Sequence, residues 1–530
     1  MERYSALLSS NSAPEPAEIV AIQEDVNIRE KTVDKFYNEL QRIKTEYAKA
    51  LEEYHALRGL ASPLRRFPAE ILSEIFMAVY NSADCHSSYV PLGTTRCVVD
   101  LCRVSKRWRD VAIGTPRLWR SIILLPLRDG SYLDIAKIST WLGRSTNIAR
   151  HLEFRELNRC IHQQGERGSC SLPDQYWWSL EKLLSEGPPL ASLHLNGVYP
   201  RCLQELAKHM KGGRTHGTRP WDSLQCITLS LACRGETPLA LDLSNLPLVH
   251  SFHLRQYQGY PLSLGPVQPF PANDAFLLNL TSLTIRGMAI PSVFAFLRPC
   301  TALRELTVDP HRARNELPRD QQPCLLPNVR TLRLERWTYE QVEGLPSLLR
   351  TTDLVDLHIR FSLNRNPSEE GSMEDRFDMV AALTSFIGGS EATVQHLHIE
   401  GLSISSRGMQ RMLMNTPSVI NLTVYGVEGL DATHFLPSTN PASEDRPLLL
   451  PRLTSLRVGH ATLYDVLAAE LCDTFARRVT RYSTFKALDL ELDIEDFGRY
   501  DTVRPSDLRH AVSRLRGLGV AVSVGSNPYK

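Results

Sequence analysis

The chain has 530 residues, with 60 Lys and Arg against 59 Asp and Glu, a net charge of +1, 42% apolar residues and 22% charged residues. So even a balance offers no overall field to hold a polyanion, which argues against a nucleic-acid partner, and the apolar fraction excludes a disordered chain. No apolar run approaches the roughly 20 residues of a membrane span. The first twenty residues lack a basic start followed by an apolar stretch, and the 11 Cys are odd in number without close pairing. The expected setting is therefore a reducing intracellular one, cytoplasmic or nuclear.

In chain order, residues 1–16 read as a disordered N-terminus. From 17 to 57 there is neither Pro nor Gly, and apolar residues recur by threes and fours. Ile19, Val26, Val33, Leu40, Tyr47 and Tyr54 hold one heptad position. Ile22, Phe36, Ile43, Ala50 and Leu57 hold the other, where Arg29 is the exception. This predicts a long amphipathic helix over 17–60 with a narrow coiled-coil seam. Such a seam would join two copies in a homodimer through residues 17–57, dock a partner helix, or fold against the chain's own domain; periodicity does not choose between them.

Residues 61–125 read as a small helical unit. Pro68 suits a first helical turn, Glu70 is favourable near a helix N-terminus, and Ile71, Leu72, Ile75 and Phe76 follow at helical spacing. A second helix is expected with Leu101, Val104, Trp108, Val111 and Ala112 on one face, ringed by Arg103, Lys106, Arg107 and Arg109, and ended by Thr115-Pro116. A unit of about 60 residues has too little interior to bury all of this, so part of its apolar surface should meet something else.

The strings Phe67-Pro68-Ala69-Glu70-Ile71-Leu72-Ser73-Glu74-Ile75-Phe76, Leu101-Cys102-Arg103-Val104-Ser105-Lys106-Arg107-Trp108 and Thr115-Pro116-Arg117-Leu118-Trp119 resemble an F-box of the kind common in fungal F-box proteins. Phe67 stands where the family usually has Leu, and the connection over 80–97 is longer than the minimal one. The resemblance implies docking to the Skp-type adaptor protein of a cullin-RING (SCF-type) ubiquitin ligase. The contacts it implies are Phe67, Pro68, Ile71, Leu72, Ile75, Val104, Trp108 and Trp119.

Over 126–530 the pattern apolar-x-x-apolar-x-apolar recurs, starting at Leu190, Leu224, Val249, Leu280, Leu303, Val329, Leu354, Val394, Val419, Leu453 and Phe485, with a weaker copy at Ala149. Helical patterns lie between copies, including a capping box at Thr338 and Gln341 and stretches over 407–415 and 462–479. The spacing is similar to that of a leucine-rich repeat, irregular and without the Asn that fixes the turn after each strand. The expected fold is α/β: a long N-terminal helix, the helical unit, and a leucine-rich-repeat-like solenoid with a parallel inner sheet.

Side chains alternate along a strand, so the residues between the inward apolar positions form an outward face of mixed charge, suited to a protein client rather than to a phosphate backbone. The candidate client contacts are His253, Arg255, Arg286, Arg333, His358, Arg360, His398, Glu400, Asp489 and Glu491. A solvated face without a partner is the plain alternative.

Asp489, Glu491, Asp493 and Glu495 alternate with Leu488, Leu490, Leu492 and Ile494; four like charges on one face are mutually unfavourable unless a cation or a basic segment of a partner lies over them, and a solvated face is the plainer reading. The His column places only His358 and His398 on adjacent strands, which is thin for a metal site. Residues 364–374 and 437–447 are polar loops. No phosphate loop, nucleophile elbow or zincin motif occurs, so neither cofactor nor catalysis is expected. The reading is a non-catalytic adaptor binding an unknown client protein; the alternative is a structural scaffold that self-associates through its N-terminal helix.

Overall fold

The computed structural model describes the chain apart from residues 1–3, 10–12, 83–92, 125–133, 156–173, 199, 213–218, 234–242, 244, 259–273, 311–322, 363–375, 390–393, 403, 405, 427–449, 460–464, 483–484, 493–504 and 527–530. The polar loops at 364–374 and 437–447, and Asp493 and Glu495, lie outside the described residues.

After a short helical turn at Ser5–Ser9, the seam sequence forms one continuous helix, α1, Pro16–Leu60. Pro16 occupies its first turn, and Glu15 and Glu18 close a capping box on each other's backbone N–H groups. No residue of α1 is buried. A single turn, Pro63–Arg66, leads into the helical unit: α2 (Ala69–Asn81), α3 (Gly93–Val104) and α4 (Lys106–Ile113).

The single second helix read from the sequence is two helices. Ser105 is extended (φ −161°) and its hydroxyl accepts from the Trp108 N–H at 3.1 Å, so it caps α4 and breaks the run. Val104 therefore ends α3 on the outside, 59% exposed, instead of joining the core face.

Among the described residues, apart from a separate pair formed by Cys324–Leu325 and Leu349–Arg350, fourteen strands follow in one sheet, each paired in parallel with the next of the fourteen. They are β1 (Ser121–Leu124), β2 (His151–Arg155), β3 (Ser192–Val198), β4 (Cys226–Cys233), β5 (Ser251–Gln258), β6 (Ser282–Met288) and β7 (Glu305–Pro310), then β8 (Thr331–Trp337), β9 (Asp356–Phe361), β10 (His396–Glu400), β11 (Asn421–Tyr425), β12 (Ser455–Gly459), β13 (Ala487–Leu492) and β14 (Ala521–Ser526). All eleven repeat copies, and the weak one at Ala149, fall on strands. β1 and β14 extend the array at each end. β1 belongs to the sheet although the sequence placed its residues with the helical unit, so no gap separates the two parts.

Strand burial alternates as the pleat requires: Leu193, Leu195, Leu332, Leu334, Leu397 and Ile399 are buried beneath the outer helices, and the residues between them face outward. Thr338 and Gln341 form the expected capping box, and the outer helices Ser406–Met414 and Asp465–Tyr482 fall where the helical patterns put them.

The missing turn Asn is replaced in two ways. A backbone ladder runs just ahead of the strands, for example His250 N–H to Gln225 O, Thr281 N–H to His250 O and Arg304 N–H to Thr281 O. The residue before a copy's first apolar position adds a side-chain rung to the preceding copy: Ser223 to Leu190 O at 3.0 Å, Asn279 to Val249 O at 3.0 Å and Ser418 to Val394 O at 2.9 Å. Each rung satisfies a carbonyl that the irregular turn would leave open.

Cys97, Cys102, Cys226, Cys300, Cys324 and Cys472 are free thiols; burial pushes Cys300 and Cys472 up to about 12 and Cys324 up to about 11. Among the described residues no helix is long and apolar enough to cross a membrane.

Candidate functional site

Two surfaces concentrate the residues singled out from the sequence. The first is the helical unit. Its interior is Leu72, Phe76, Met77, Tyr80, Val98, Leu101, Ala112, Leu118 and Trp119. Phe76 packs on Trp108 with ring centroids 4.9 Å apart, and Thr115 Oγ1 donates to Ser73 Oγ at 3.0 Å. The Trp119 indole N–H donates to Ala112 O at 2.7 Å, and its ring meets Trp141 edge-on at 4.5 Å under the Arg144 guanidinium. Leu72 and Trp119, two of the expected adaptor contacts, are thus core residues with no surface to offer a partner.

What α2 leaves outside is a second apolar stripe. Leu72, Phe76 and Tyr80 line its inward face; Ile71 (49% exposed), Ile75 (half-buried) and Val79 (41% exposed) recur every four residues on the other side. Pro68 is exposed at its start, and Phe67 and Trp108 are half-buried. The Arg107 guanidinium donates to the carbonyls of Arg65 and Phe67, which holds the turn before α2 against the start of α4, next to exposed Val104. The sequence missed Val79, although its spacing of eight from Ile71 was the available signal.

Beside this unit, a cleft of about 460 Å³ reaches the outer helix Ile135–Gly143; its polar lining includes Arg103, Arg109, Asp134, Lys137 and Arg144. Lys137 pairs with Asp134 at 2.9 Å and holds that carboxyl below its ordinary range, while burial raises the Cys102 thiol. Trp119, Trp141 and Arg144 clamp the helical unit to the first repeat here.

The second surface is the open face of the sheet. Register brings Arg333, His358 and His398 side by side on β8, β9 and β10. The two imidazoles lie in contact with centroids 3.8 Å apart and planes tilted by 33°, and His398 stacks on Tyr425 at 5.5 Å, with Arg457 over the tyrosine ring. Burial, helped by the neighbouring arginines, lowers both histidines to about 4, so they are neutral near pH 7.

Arg360 holds Glu400 at 3.0 Å and Arg457 holds Asp489 at 3.2 Å, with the Ser523 hydroxyl also donating to Asp489. Asp489 is thus paired within the chain by Arg457 of the preceding strand β12; Glu491 lies in register between Gly459 and Gly525. His253 pairs with Ser251 at 3.1 Å. Arg255 and Arg286 sit in register and exposed, and Asp309, in register with Arg286, is bound by Arg336 instead. His358, His398 and Glu400 offer metal-ligand atoms within 4.8 Å of one another. Arg360, however, already pairs with Glu400, so the carboxylate is committed to a guanidinium.

No family model matches the chain, and no curated protein matches it. Among solved structures, one described as the crystal structure of Rad7 and Elc1 complex in yeast aligns with 82% of this chain and 98% of its own, at 14% identity and a TM-score of 0.32. A likeness that distant adds nothing to the geometry described above.

Proposed function

We propose that this chain is a non-catalytic receptor of a cullin-RING ubiquitin ligase, binding a Skp-type adaptor through the helical unit and a client protein on the open face of the sheet. The observation that carries it is the doubly apolar α2: one stripe fills the unit's core, and on the other side Ile71 and Val79 are exposed with half-buried Ile75 between them, beside Pro68 and Val104. A helix apolar on two sides needs a second surface to pack on. The F-box-like strings lie on these same residues. The client surface is the ladder of Arg333, His358, His398, Tyr425 and Arg457, planar groups of the kind that anchor protein interfaces.

Ile71→Asp with Val79→Asp in the full-length chain tests the adaptor face, read by capture of a Skp-type adaptor. The wild type should bind, and the variant should bind about tenfold or more weakly with its melting unchanged. Equal capture by both chains would remove the proposed face, and no capture by the wild type would leave the scaffold reading, which the exposure of α1 favours.

A further inference from the structure

We infer that α1 binds the α1 of a second copy of this chain, as a parallel, in-register two-stranded coiled coil. The inference is independent of the ligase reading. α1 is 45 residues long, about 67 Å at 1.5 Å per residue. It buries none of its residues in its own chain, although its seam holds Val33, Phe36, Leu40, Ile43, Tyr47 and Leu57 at 50–67% exposure. Only the N-terminal end of the seam is partly covered: Ile22 is half-buried, and Tyr4 Oη donates to Asp25 Oδ2 at 2.6 Å nearby. Among the described residues, then, the chain's own domain does not cover the rest of the seam, and an apolar stripe five heptads long faces outward.

The residues flanking the seam identify the occupant. In a parallel pair each residue before one seam position faces, across the interface, the partner's residue five further on. Glu39 then meets Lys44, and Glu53 meets Arg58; Thr32 meets Tyr37, and Glu46 meets Leu51. The single acidic encounter, Asp25 with Glu30, brackets the one seam position that is not apolar, Arg29. Two arginines there lie between four carboxylates, so the apparent flaw in the seam and the apparent clash in its flank neutralise each other. An antiparallel pair would instead set the row Asp25, Thr32, Glu39, Glu46, Glu53 against itself, with acid facing acid at all but the Thr32 position.

Because α1 passes to α2 through the single turn Pro63–Arg66, parallel pairing puts both helical units at the same end of the coil.

The full-length chain should sediment at twice its 59.8 kDa across the micromolar range. Val33→Glu with Leu40→Glu should sediment at one chain mass with the thermal melt of the rest of the chain retained. Glu39→Lys alone and Lys44→Glu alone should each weaken dimerisation roughly fivefold, and the two together should restore it. A monomeric wild type, or a dimer that survives the seam variant, would overturn the assignment of α1 as the contact. Single charge changes that tighten the dimer would overturn the parallel orientation.

Discussion

His358 and His398 show how much one residue's behaviour depends on its neighbour. Each lies on an open sheet face, yet each ring covers the other, and Arg333, Arg360 and Arg457 surround them with positive charge. Their folded-state values near 4 lie below the ordinary 6.5, so the unfolded chain takes up protons that the folded chain refuses. The stability they contribute is complete above about pH 6.5 and is lost as pH falls from there toward 4. Thermal melts across that range should show the midpoint dropping with acidification and levelling off below pH 4, and His358→Gln with His398→Gln should flatten the drop. An unchanged slope in the double variant would show that other groups set the acid limit. The two histidines are visible in the sequence as outward residues, but their ring contact is not, because the 40-residue separation of the copies says nothing about ring orientation.

At the scale of an element, α2 separates core from surface at adjacent positions. Leu72 is fully buried and Ile71 is half exposed, although the family resemblance treats both as contacts. Leu72→Ala should destabilise the chain by about 2–5 kcal/mol in urea unfolding, as large-to-small changes in a packed core do. Changes at Ile71 should leave the unfolding midpoint nearly unmoved; the opposite pattern would mean that the stripes are assigned the wrong way round. The period of 3.6 marks two apolar faces equally well, and only the docking of α3, α4 and Trp119 determines which is filled. The break at Ser105 is hidden in the sequence for a similar reason: the apolar spacing runs straight across it, and the cap is a single hydroxyl.

For the whole molecule, the repeats hold because each copy is tied to the one before it, through strand pairing and through the rungs ahead of the strands. Asn279→Ala removes one rung and leaves Val249 O without its side-chain donor; the expected loss is about 1–3 kcal/mol in urea unfolding. A variant as stable as the wild type would show that the backbone ladder suffices. The rungs were legible once their place was known, in Ser223, Asn279 and Ser418, each one residue before a copy begins. β1 was legible too, as Trp119-x-x-Ile122-x-Leu124, but its Trp had been read as the end of the helical unit.

β14 was hidden because Gly519, with φ +83°, stands where other copies have their first apolar residue. By itself, the order of residues determined the seam of α1, the two helices' worth of apolar spacing around Pro68 and Trp108, and eleven strands with their inward and outward sides. These follow from local periods of 3.6 and 2, which need no knowledge of distant neighbours. The tertiary structure alone decided that α1 stays uncovered by the described residues, that Leu72 and Trp119 face inward, and that Arg457 meets Asp489 while Arg360 meets Glu400. Those outcomes depend on register between strands and on packing between helices, where residues far apart in the chain compete for the same space.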